Sequence, residues 1–265
     1  MRIVSAVALI AVPGTTPGQA AEPLQPTAKW NVDFGNSHCI ALRDYGTAAA
    51  PLTLALKPAP IGDVMQVSLL RGSSKRDTDQ YAGTMTVGSS MPVKVSVLGY
   101  PATAGKTRLI SINLAAPDFL PLRTASVLRL TTAREVDRSF ALSQMASVTT
   151  MLDRCVANLR KAWNITNAVN DPHATPKAPL YSYFNSVDYP SVAARGDATG
   201  TVALVMLVDE AGKVASCMVT QTSGYASLDA QSCALLTVRA KFKPAVVDGQ
   251  PVKSGQTLRI NWRLP

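Results

Sequence analysis

The sequence predicts an α+β chain. An N-terminal antiparallel β-sandwich-like domain ends in a helix, and a small domain with a three-stranded antiparallel sheet and two helices follows. Three observations predict it. Apolar and polar residues alternate in short segments across residues 29–132, the period of half-buried strands. Across residues 139–163 the apolar spacing changes to three and four, the period of an amphipathic helix. From Tyr189 onward, strand-like runs, tight turns and one more helical stripe succeed one another closely enough to share a single small core.

The chain opens with Arg2, an apolar run over residues 3–12, and Gly18 and Ala20 at the small-residue positions of a cleavage site before Ala21. Residues 1–20 therefore read as a secretory signal, with a buried N-terminal segment as the alternative. A spanning helix needs about 20 apolar residues, so the run is too short for an anchor. Removal of the signal predicts a periplasmic chain without a membrane span; retention would leave it membrane-anchored. The segments "LTLAL" (52–56), "MQVSL" (65–69), "VKVSV" (93–97) and "LISIN" (109–113) each alternate in period two, and "KPAPIGD" and "GSSKRDTDQ" punctuate them. Asp77 and Asp79 read as acids of a solvated loop. Phe140, Met145, Val148, Leu152, Val156, Leu159 and Trp163 then form the stripe of the helix that completes a domain spanning 29–165.

Residues 166–180 carry Pro172, Pro176 and Pro179 without a sustained period, which reads as a partly extended linker. Within 181–265, "YPSVAARG" is a helical turn opened by Pro190, "TVALVMLV" and "VASCMVTQ" are strands joined at "DEAGK", and Ser227 caps a helix with Asp229 in its first turn. Its inward stripe would be Leu228, Leu235, Val238 and Phe242, and Pro244 would stop it. "VDGQPV" is a turn and "QTLRINWRLP" a closing strand.

Four cysteines in an exported chain allow three pairings, and buried free thiols remain the alternative. Cys39 in an early strand and Cys155 near the helix stripe would pin helix to sheet by a bond worth ~4–5 kcal/mol in the chain-entropy model. Cys217 on a strand and Cys233 on the following helix would clip a corner, worth about 3 kcal/mol. There is no C-x-x-C, and His38 and His173 lack zinc-finger spacing, so no metal or cofactor is expected. His38 and Cys39 are sequence neighbours, which a strand points to opposite faces. With no G-x-S-x-G and no phosphate-cradling glycine loop, no catalytic residue is assigned and the chain reads as a binding protein. The formal charge is +9, but the basic residues are scattered, which argues against nucleic acid as a partner.

The C-terminal segment resembles the C-terminal domain of TonB-family energy transducers. The resemblance rests on Tyr189-Pro190, Ala194, Gly200, Asp209, Gly212-Lys213-Val214, Ser223-Gly224, Leu228-Asp229, Arg239, Phe242, Pro244-Ala245, Gly249 and Pro251-Val252, in that order. It implies a small sheet backed by two helices whose exposed edge receives the extended box peptide of an outer-membrane TonB-dependent receptor. Carried to this chain, the edge is Gln256, Leu258, Arg259, Ile260, Asn261, Trp262, Arg263 and Leu264. Leu258, Ile260, Trp262 and Leu264 share one face, where core packing competes with partner contact; Arg259, Asn261 and Arg263 share the other. The cysteine pair 217/233 looks like that of disulfide-bearing members. The predicted β-rich domain and short linker, in place of an anchor and a long spacer, set this chain apart from a typical transducer. Two functions remain: a periplasmic protein that binds the receptor peptide and supports energised transport, or a structural envelope module that dimerises or binds another periplasmic protein through the same strand.

Overall fold

The computed structural model describes residues 22–75, 77–102 and 106–264, so the signal reading of residues 1–20 lies outside them. Nine antiparallel strands form one sheet: β1 (Asn31–Phe34), β2 (Cys39–Thr47), β3 (Ala50–Pro58), β4 (Val64–Gly72), β5 (Asp79–Val87), β6 (Val93–Pro101), β7 (Thr107–Ala115), β8 (Val127–Thr132) and β9 (Asp137–Ala141). Their spatial order is β1-β2-β3-β4-β7-β6-β5-β8-β9. Alternate residues face one core, among them Leu54 and Leu56, then Met65, Val67 and Leu69, then Ile110, Ile112 and Leu114. The expectation of a sandwich needs correcting. A single sheet curls until its ends meet: Leu24 donates to the Ser139 carbonyl and accepts from Ala141, while Pro26 bridges Tyr45 on β2. Period-two alternation marks one buried face; it does not say whether that face meets a second sheet or the far side of its own.

A short helix α1 (Ala116–Phe119) follows β7, and α2 (Met145–Ala162) follows β9. The apolar side of α2 enters the barrel core through Met145, Val148, Leu152 and Leu159. Phe140, expected on that helix, belongs to β9, where it is fully buried with its ring edge-on to Tyr45. Gln144, at a φ of 60°, turns the chain between the two elements. Cys155 is bonded to Cys39, and Trp163 donates Nε1–H to the Asn36 carbonyl at 2.8 Å.

Asp79 is also corrected: it is no solvated loop acid. It begins β5 and accepts from the fully buried Arg108 at 2.7 Å. Arg108 also binds Glu135, as does Arg71. Burial pushes the Glu135 pKa up, and the hydrogen bonds from Arg108 and Arg71 more than reverse it, leaving the carboxylate below its usual range. A buried charge network of this kind demands partners for every member, which is why Asp79 and Glu135 are drawn in.

The second core lies C-terminal. The expected linker is built into it: β10 (Thr175–Pro176) pairs with β13 (Phe242–Lys243), and 3-10 turns at Leu180–Tyr183 and Ser186–Asp188 bring Tyr183 inside. Helix α3 (Ser191–Arg195) leads to β11 (Gly200–Val208) and β12 (Val214–Gln221), and α4 (Ala226–Arg239) covers the sheet. A hairpin of β14 (Ala245–Val247) and β15 (Gln250–Val252) precedes β16 (Ser254–Trp262). The sheet order is β12-β11-β16, so a three-stranded antiparallel sheet with two helices is present. Several local expectations change. Helix α4 starts at Ala226, so Ser227 is inside it and caps nothing. Val238 is exposed and Leu236 takes its place in the buried stripe, while Phe242 sits on β13. The helix ends at Arg239, ahead of Pro244.

Candidate functional site

Strand β11 is buried on both faces. Val202, Leu204, Met206 and Val208 pack under α4, while Val205 and Leu207 face the barrel, whose core Leu207 joins. Contact continues at Gly255 on β16, where an added Cβ would stand 2.4 Å from Ile165 and 3.1 Å from Ile61. The barrel also reaches β12: Asn113 on β7 donates Nδ2–H to the Val219 carbonyl at 2.9 Å. Around Asn113 the outer barrel wall is polar but covered, with Ser68 and Ser111 bonded to each other and buried.

At the other side, β16 pairs with β11 over all nine of its residues and with no strand beyond, among the described residues. Its beginning is clasped. Asn164 donates to the Lys253 carbonyl at 2.8 Å, and Gln256 Oε1 accepts from the Ala174 amide at 3.1 Å. Beyond Gln256 the outer edge is open. Leu258 and Ile260 lean into the C-terminal core, and Trp262 is buried there. The Trp262 Nε1–H bonds Ser232 Oγ at 2.8 Å, and Phe184 and Tyr189 stand edge-on to its ring at 5.6 and 5.4 Å. Arg259, Asn261 and Arg263 are exposed. Arg263 and the half-open Leu264 lie past the end of β16, which stops at Trp262.

A groove of about 460 Å³ runs beside this edge, lined by Leu180, Tyr181, Phe184, Asn185, Ser186 and Tyr189 on one side and residues 259–263 on the other. Its far wall is fixed. Asp188 and Asn185 form a capping box, and Arg239 binds Asp188 through both guanidinium nitrogens, at 2.5 and 2.7 Å. The Arg239 hydrogen bonds hold the Asp188 carboxyl below the usual range. Tyr183 donates to the Lys241 carbonyl at 2.8 Å. The sequence reading missed this wall: "LYSYF" at 180–184 placed four large side chains at a supposed linker boundary, a density that a solvated linker has no use for.

The remaining motif residues shape the frame. Gly212 has a φ of 74°, and a Cβ there would meet the Phe242 carbonyl oxygen at 2.0 Å; Gly200 would meet that of Ser223 at 2.3 Å. Leu228 and Phe242 are fully buried, and Pro190 precedes α3. Tyr189 donates to the Ala198 carbonyl, and burial raises its phenol pKa. Asp229 Oδ1 accepts from Ser223 N–H and Oγ–H at 2.8 and 2.7 Å, tying the Ser223-Gly224 turn to α4. Its Oδ2 is buried without a partner, and burial raises its pKa. Pro244 sits between β13 and β14. Cys217 and Cys233 are bonded, with Cα atoms 5.6 Å apart.

Among the described residues, no group of three or more His, Cys, Asp or Glu is placed to hold a metal, and no helix is long and apolar enough to cross a membrane. What the arrangement offers is backbone: an open strand edge with donors and acceptors unpaired. Residues 185–264 match the family described as Gram-negative bacterial TonB protein C-terminal. No curated protein matches the chain.

Proposed function

We propose that this chain is a periplasmic TonB-like protein that binds the extended box peptide of an outer-membrane TonB-dependent receptor by strand addition to β16, in support of energised transport across the outer membrane. The observation that carries the reading is the open edge of β16 within a segment matching the TonB C-terminal family. An unpaired edge satisfies its N–H and C=O groups when an extended chain lies beside it. The match speaks for Gram-negative envelope location and for receptors as the class of partner. The barrel, outside the match, acts here as a brace that fixes the sheet while leaving the edge open.

The mature chain, immobilised, should capture a TonB-dependent receptor from envelope extract. A peptide from that receptor's N-terminal extended region should compete; the same peptide N-methylated at alternate amides, which removes its donors, should not. Failure to capture any receptor, or equal competition by both peptides, refutes the reading. A second reading rests on the same open edge: β16 pairs with β16 of another copy in a structural envelope module. Sedimentation separates the two, since a tight homodimer that excludes the peptide supports the second.

A further inference from the structure

We propose that the groove beside β16 gives this edge a sequence preference, for an extended segment in which acidic and apolar side chains alternate; the inference rests on the strand-addition reading above. Backbone pairing alone reads no sequence. The side chains of an added strand point alternately to the two faces of the sheet. On the face shared with Ile260 and Trp262 they meet the groove, whose volume of about 460 Å³ accommodates apolar side chains. Phe184, Tyr189 and Trp262 form its aromatic base, and Tyr181 stands 78% exposed at its lip.

On the opposite face an added strand meets Arg259 and Arg263. Both also border the groove, neither has an ion-pair partner among the described residues, and no carboxylate lines the groove beside them. A guanidinium matches a carboxylate in a two-pronged geometry that an ammonium or an amide does not reproduce. Charge complementarity therefore selects an anionic side chain on one face and the aromatic base an apolar one on the other. The alternation follows from the strand, not from either face alone. The wall at residues 180–189 is already held by Arg239 on Asp188 and by Tyr183 on the Lys241 carbonyl, so binding need not order it.

The test uses the full mature chain and three labelled octapeptides read by fluorescence anisotropy: Glu alternating with Val, Lys with Val, and Glu with Ser. The Glu/Val peptide should bind at least about tenfold tighter than either of the others. Arg259→Glu combined with Arg263→Glu should invert the order of the Glu/Val and Lys/Val peptides. Tyr181→Ala should narrow the gap between Glu/Val and Glu/Ser; all three side chains are exposed, so folding is not at stake. If all three peptides bind within twofold of one another while an N-methylated Glu/Val peptide does not bind, the edge reads backbone only: strand addition stands and the preference is refuted. If none binds, both readings fall. A tight dimer that blocks every peptide also overturns the proposal, in favour of a second copy at the edge.

Discussion

The two outer strands of the C-terminal sheet differ in what lies beside them. Along β12 the barrel wall approaches closely enough for Asn113 to bond the Val219 carbonyl. Along β16 the Gln256 side chain is held by the Ala174 amide, and residues 259–263 face a groove. An open sheet always carries two unpaired rows of donors and acceptors, and either row can recruit a foreign strand. The barrel solves this for itself by bringing its ends together through residues 24–27. It also reaches one outer strand of its neighbour, where Asn113 bonds the Val219 carbonyl. The edges differ in two ways: the barrel docks beside β12, and the β12 ladder with β11 carries two register shifts while that of β16 runs unbroken over nine pairs.

The most severe way to break this contrast is to loosen the brace. Replacing Cys39 and Cys155 by Ser opens a loop of 116 residues and should destabilise the barrel by up to ~4–5 kcal/mol, read as a lower urea midpoint. The docking itself is tested by Leu207→Ala, which removes a side chain buried against the barrel from β11. It should cost about 3 kcal/mol and split urea unfolding, followed by domain-specific fluorescence, into two transitions. A single unchanged transition would mean that the barrel does not hold the sheet. On the open side, Trp262→Phe keeps an aromatic ring but loses the bond to Ser232 and leaves a small cavity, for about 1–3 kcal/mol. Binding of an added strand should then weaken less than it does in Tyr181→Ala.

The gentlest probe is a pH slope, and two carboxylates of this domain bend it in opposite directions. Asp188 titrates below the ordinary value of 3.8 because of Arg239, so its contribution is present above 3.8 and lost as pH falls through the lowered pKa. Asp229 titrates above 3.8 because it is buried; its contribution is present below 3.8 and lost as pH rises through the raised pKa. Unfolding midpoints between about pH 2 and 6 should flatten on the acid side in Asp188→Asn and on the upper side in Asp229→Asn. Matching slopes in both variants would refute the assignment.

How far the sequence could be read depended on range. Strands β11 and β12 were legible because their apolar runs are bounded by Gly200, by the Asp209-Gly212 turn and by the Ser223-Gly224 reversal, all local signals. Sheet closure was not legible, because it depends on Leu24 meeting Phe140 across most of a domain. Phe140 fell on the helical spacing by coincidence with Met145, and just three residues, ending in the left-handed Gln144, separate strand from helix. One long-range fact was written locally and went unread. "TVALVMLV" does not alternate, and a strand at the centre of an otherwise alternating sheet has no need of Val205 and Leu207 unless its second face is also covered. Within the edge, Trp262 proved to be core because Ser232, Phe184 and Tyr189 surround it, none of which is near it in sequence.

The ladder between β11 and β16 has a mechanical meaning. Its nine residue pairs run side by side from Gly200–Trp262 to Val208–Ser254, with hydrogen bonds lying across the strand direction. A pull applied along an added strand loads that whole row in shear, so every bond shares the tension at once. A pull applied across the strands peels the pairs one after another, and each fails alone. The same joint is therefore stiff to a load along its length and weak to one at right angles, and the direction of pulling alone decides whether it holds or lets go.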